Sequence, residues 1–123
     1  MNDTGSAVVP DTFLEISTAI RYVAFSIDGK VQMTCRRNLT NQSSSESDRY
    51  EELLVNPALL NLAGNRGAID CGGLQFILIR YGSFFQLVHP IRSGHVSVAI
   101  EPSADPLQVA ALVRRALKRY GLI

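Results

Sequence analysis

From residue 20 onward the chain alternates between β-rich runs and helical stripes. IRYVAFSI (20–27) is apolar on both faces, the pattern of a strand covered on both sides. The next run alternates instead, with Val31, Met33 and Cys35 against Lys30, Gln32, Thr34 and Arg36. That is an edge strand with one wet face, whose charges discourage further pairing. Asp28-Gly29 lies between the two runs and predicts a tight hairpin, because glycine tolerates the positive φ such a turn needs. Three more strands are predicted at about Leu74–Arg80, Phe84–Ile91 and His95–Glu101, joined by the turns Tyr81-Gly82-Ser83 and Arg92-Ser93-Gly94.

Helical spacing fills the intervals. Asp11 is read as the cap of a short helix over about Thr12–Thr18. Asp48, with Glu51 three residues on, fits a capping box for a middle helix whose apolar side is Leu53, Leu54, Leu59, Leu60 and Leu62. Asn56-Pro57 interrupts it, since the residue before proline avoids the helical region. A kink is expected there, or two helices with Pro57 opening the second, and Gly64 or Gly67 as the stop. Asp105-Pro106-Leu107-Gln108 opens the last helix, with the stripe Val109, Leu112, Val113, Ala116, Leu117 and Tyr120, and Gly121 as terminator. The order is a weak helix followed by β-β-α-β-β-β-α, and short hairpins make sequential strands antiparallel. Residues 1–10 read as a flexible terminus, 38–47 (NLTNQSSSES) as a polar loop prone to disorder, and 11–123 as a single domain.

Composition narrows the class. The chain has 123 residues, enough for a single core, and a net charge of +1, which offers no global field for nucleic acid or a membrane surface. No apolar run approaches the roughly 18–20 residues that span a bilayer, and the start lacks the basic and apolar regions of a signal peptide. Cys35 and Cys71 are therefore read as free thiols in a reducing, cytoplasmic setting, and the sequons at Asn38 and Asn41 as no more than a polar loop.

Candidate chemistry is sparse. FFQLVHPIRSGHVSV (84–98) carries both histidines, His89 and His95. A Cys71–His89 nucleophile pair would need an orienting third group, and none stands at a recognisable position. A zinc site from Cys35, Cys71, His89 and His95 lacks the short paired spacings of structural zinc. The simpler reading is a buried thiol and histidines that punctuate a hairpin. GNRGAIDCGG (64–73) leads into a strand rather than a helix, so its glycines serve as a helix stop and a bulge, not a phosphate cradle. Arg114, Arg115, Lys118 and Arg119 complement the negative end of the last helix; Glu46, Asp48, Glu51 and Glu52 complement the positive end of the middle one. Neither a cofactor nor a metal is expected, and no catalytic residue.

YVAFSIDGKV, EELLVNPALLNLA, LQFILIR, FFQLVHPIRSGHVSVAIEP and LQVAALVRRAL, in this order over about residues 20–120, resemble the roadblock/dynein light chain family, of profilin-like fold. The resemblance implies an α/β (α+β) domain: a five-stranded antiparallel sheet in the order 2-1-5-4-3, with the middle helix on one face and the terminal helices on the other. It also implies a homodimer made by pairing third strands beneath the two middle helices, and a role scaffolding or regulating Ras-like GTPases or signalling complexes. The residues point the same way. LQFILI, left as an open edge, would template aggregation unless covered, and a second copy is the economical cover. The expected interface is Tyr50, Leu53, Leu54, Leu60, Leu74, Phe76 and Leu78. The alternative is a small-molecule sensor holding its ligand in the concavity of the sheet.

Overall fold

A computed structural model describes residues 8–123. Five strands, β1 (Ile20–Ile27), β2 (Lys30–Cys35), β3 (Ile77–Arg80), β4 (Phe85–Ile91) and β5 (Gly94–Ile100), form one antiparallel sheet in the order β2-β1-β5-β4-β3. Two short helical elements and two long ones flank it: α1 (Pro10–Leu14), α2 (Ser45–Tyr50), α3 (Asn56–Asp70) and α4 (Pro106–Arg119). A π-helical turn, Glu51–Val55, joins α2 to α3, so residues 45–70 run as one middle helix.

The two faces of the sheet differ in chemistry. One carries Val23, Phe25, Leu87, Val96, Val98 and Ile100, which pack against Phe13 of α1 and Val109, Val113 and Leu117 of α4. This is the main core; Phe13 meets Phe25 edge to face at 5.4 Å between ring centroids. The other face carries Tyr22, Ala24 and Ala99, with Met33 and Phe84 at its margin. The middle helix lies over this second, smaller and more polar face, where Glu52 reaches Tyr22 of β1 and Ser97 of β5.

Local signals hold where they are chemically complete. Asp28 and Gly29 both adopt positive φ, 51° and 80°, as the hairpin between β1 and β2 requires. Asp105 Oδ1 accepts from the amides of Leu107 and Gln108 at 3.1 and 3.4 Å, capping α4 with Pro106 in its first turn. Leu112, part of the expected buried stripe, is instead exposed, while Ala110 is buried.

Several boundaries move. The first helix starts at Pro10 and ends at Leu14, so Asp11 lies in its first turn rather than capping it. Val8 and Pro10 are buried, and the expectation for the terminus otherwise falls on residues 1–7, outside the described residues. The polar loop is tied down: the buried Arg21 side chain, displaced by a bulge between Ile20 and Tyr22, donates to the carbonyl of Thr40 at 2.7 Å and pairs with Glu101 at 3.2 Å. Ser44, not Asp48, caps the middle helix, accepting from the Ser47 amide at 3.1 Å; Asp48 instead accepts from the Ser43 hydroxyl at 2.5 Å.

Pro57 does not break the helix. Proline has no N–H and its ring crowds the carbonyl four residues back. The turn before it widens, and the Asn56 amide donates five residues back, to Glu51 O, which relieves that crowding without ending the helix. The helix also runs past Gly64 and Gly67 to Asp70. Gly67 serves packing rather than termination: a Cβ there would lie 3.2 Å from the backbone of Gly73 and Leu74. Gly73, at φ 88°, then returns its amide to Gly67 O at 3.1 Å and closes the helix end.

Candidate interaction surface and the buried cluster beneath it

The middle helix is amphipathic in an unusual sense. Its fully buried positions are Glu52, Asn56 and Gly67, whereas Tyr50 is 60% and Leu54 59% exposed, and Leu53, Leu62 and Ile69 are exposed with them. The leucines expected on its inner side therefore divide: Leu59 and Leu60 are half-buried, while Leu53, Leu54 and Leu62 face solvent. Tyr50, Leu53 and Leu54 border a groove of about 450 Å³ whose rim is Ser45, Glu46 and Arg49.

β3 pairs with β4 on one side only, so its other edge presents unpaired backbone groups. Of the residues expected at an interface, Leu74 is half-buried ahead of β3, and Phe76 and Leu78 pack against the main core on the opposite face from the middle helix. Successive strand residues alternate between faces. Leu78 stands beside Leu87 and Val98, whereas Ile77 stands beside Val88 and Ser97, and Ile79 beside Gln86 and Ala99. The β3 side chains sharing a face with the middle helix are thus Ile77 and Ile79, both half-buried. Tyr81, just past β3, ties strand to helix: its hydroxyl donates to Glu51 Oε2 at 2.8 Å. Burial, then that carboxylate, pushes the Tyr81 phenol up to about 12. Burial likewise raises the carboxyl of Glu51, against the pull of the Tyr81 hydrogen bond, and that of Asp48, against the pull of Ser43.

Beneath the helix lies a cluster that spacing did not reveal. Glu52, 1% exposed, does not join the other acids at an exposed helix start; its carboxylate points into the sheet. Oε1 meets His95 Nε2 at 2.7 Å and accepts from Asn56 Nδ2 at 3.1 Å. Oε2 accepts from the Tyr22 hydroxyl at 2.9 Å and from the Ser97 hydroxyl. Four donor groups converge on a group that, ionised, only accepts. Burial, and next the nearby Glu52 charge, drive the Tyr22 phenol far above its ordinary value. With both oxygens engaged by these groups, the arrangement fastens helix to sheet. The Oδ1 atom of Asn56 is buried beside it with no partner.

The two histidines part company. His95 belongs to this cluster, so it does more than punctuate a hairpin. His89 lies on the other face, under α4: its Nδ1 donates to its neighbour's carbonyl, Pro90 O, at 2.8 Å, and Nε2 accepts from Arg114 Nη1 at 3.1 Å. Phe76 stacks on it at 6.4 Å between centroids. Burial first, with Arg114 adding to it, lowers its basicity below the ordinary histidine value. Both ring nitrogens of His89 are occupied, and Cys71, expected to be buried, is exposed beside Asp70. The structure does not bring the Cys71–His89 pair together, and the four residues weighed as zinc ligands are dispersed. Among the described residues no group of three or more His, Cys, Asp or Glu could hold a metal, and no helix is long and apolar enough to cross a membrane.

The strand order, the split of helices between faces and the outer β3 define a roadblock-type α/β fold. Two solved structures share it over most of the chain. The Roadblock/LC7 domain from Streptomyces avermitilis superposes with a TM-score of 0.63 at 16% identity, covering 92% of this chain and 94% of that one. The gliding protein MglB from Thermus thermophilus gives 0.63 at 13% identity, covering 87% of this chain and 78% of that one. No family model matches the sequence, and no curated protein matches it.

Proposed function

We propose that this chain is a non-enzymatic, homodimeric scaffold or regulator of roadblock type. The observation that carries the reading is an unpaired β3 edge, tied through Tyr81 and Glu51 to a helix that exposes Tyr50, Leu53 and Leu54. Exposed apolar side chains in one contiguous patch mark an interaction site. Two copies paired through β3 would continue the sheet, and the two middle helices would cover each other's leucines. A small Ras-like GTPase or a signalling complex is the further partner, bound on the composite surface. That partner class is supported by the shared fold and by the resemblance of the chain's segments to a family that serves such assemblies.

The test is oligomeric state by sedimentation equilibrium and native mass spectrometry. Leu54→Asp charges an exposed position and should give a folded monomer, with circular dichroism unchanged. Phe76→Asp would be ambiguous, because Phe76 packs against the core and its loss would unfold the domain. A wild-type chain that stays monomeric at tens of micromolar, or a dimer indifferent to Leu54→Asp, overturns the reading.

A further inference from the structure

We propose that Glu52 is a positioning residue: its buried carboxylate sets the rotation of the middle helix on the sheet and so turns Tyr50, Leu53 and Leu54 outward. The inference rests on the dimer reading only for the purpose of that outward face.

The chemistry of the facing surfaces carries it. An amphipathic helix normally turns its leucines towards the core, because burying each stabilises the fold by about 1.5–3 kcal/mol. Here residues 50–56 do the reverse, sending a carboxylate and an amide inward and the leucines out. The surface beneath explains why. At the contact, β1 and β5 present the Tyr22 hydroxyl, the His95 imidazole and the Ser97 hydroxyl, three polar groups that need a partner once covered. Rotating the helix to bury Leu53 or Leu54 would turn Glu52 and Asn56 out to water but strand all three beneath apolar side chains. One acidic side chain satisfies them all. The spacing of Glu52 and Asn56 by four places both on one side of the helix, and they bond to each other at 3.1 Å. The π-helical turn at Glu51–Val55 carries the chain past Pro57 without losing that alignment.

A buried polar network of this kind selects one arrangement rather than adding stability, since apolar residues of similar volume are often as stable or more so. That separates a positioning role from a merely structural one. The experiment compares the wild type with a fivefold apolar variant, Tyr22→Phe, Glu52→Met, Asn56→Leu, His95→Leu and Ser97→Ala. Both carry Leu54→Cys in a Cys35→Ser, Cys71→Ser background, and both are held at concentrations below any self-association. Thiol labelling at position 54 reports the facing of the helix, and thermal unfolding reports stability. The expected result is a folded variant at least as stable as Glu52→Ala, in which labelling falls by about tenfold, the factor for a preference near 1.4 kcal/mol. Labelling at the wild-type rate in the folded variant overturns the inference, whatever association does. Slower labelling with self-association intact upholds the positioning role and instead defeats the dimer reading through this face. Should the fivefold variant not fold, Tyr22→Phe with Ser97→Ala strips Oε2 of its partners. Amide exchange across residues 51–56 should then quicken by about tenfold while that of β1 and β5 holds; unchanged exchange there overturns the inference.

Discussion

His95 Nε2 lies 2.7 Å from Glu52 Oε1, across 43 residues of sequence, with both side chains almost wholly withdrawn from water. Removing one partner of such a cluster leaves the others buried and unpaired. Glu52→Ala should cost about 3–5 kcal/mol, and Tyr22→Phe, which deletes one donor and keeps the ring, about 1.5 kcal/mol. Urea unfolding of the two variants checks both figures; an Ala variant within about 1 kcal/mol of wild type would mean the cluster is solvated.

His89 makes stability depend on pH. Its folded-state basicity is below the ordinary value near 6.5, so the unfolded chain takes up the proton first. The stability it contributes is full above 6.5 and is lost as pH falls from there towards the lowered folded value. His89→Gln should flatten the urea midpoint across this window relative to wild type. The raised carboxyls of Asp48 and Glu51 act in the other sense, favouring the folded state as pH falls through their values, so the comparison is between variants at each pH.

Two glycines should respond oppositely to alanine. Gly94 opens β5 opposite Ile27, and a Cβ there would fall 1.8 Å from Ser26 O, a clash of backbone that no side-chain movement relieves. Gly94→Ala should destabilise by about 3 kcal/mol. Gly64 sits within α3 with nothing within 4 Å of an added Cβ, so Gly64→Ala should stabilise by roughly 0.5–1 kcal/mol through helix propensity. Thermal melts of the pair, read as a shift down for the first and a shift up for the second, check the assignment.

Asp105 is the complete cap of α4, the helix that buries Val109, Val113 and Leu117 in the main core. Asp105→Ala should cost about 1 kcal/mol, and Asp105→Ser or Asp105→Asn should recover most of it. A loss equal in all three variants would point to charge rather than capping.

The main elements were readable because their causes are local. The Asp28-Gly29 turn, the Asp105 cap and the periodicity of Val109, Val113 and Leu117 each need only neighbouring residues to act. β3 was legible as an apolar edge, but its bounds and facing were not. Only 77–80 pair with β4, and a pattern nearly all apolar gives no parity by which to separate Phe76 and Leu78 from Ile77 and Ile79. Glu52 was missed because an acid near a helix start already has a local explanation. The one further hint was His95 and Ser97, polar residues two apart in an apolar strand, which share a face and had to be matched by something polar above.

By itself, the sequence determined which segments become strand or helix and that Asp105 caps the last helix, since hydrogen bonds and side-chain spacing within a few residues decide those matters. Only the tertiary structure decided which way the middle helix turns. That orientation depends on donors brought to Glu52 from 30, 43 and 45 residues away, and a carboxylate has no preferred direction until those partners surround it.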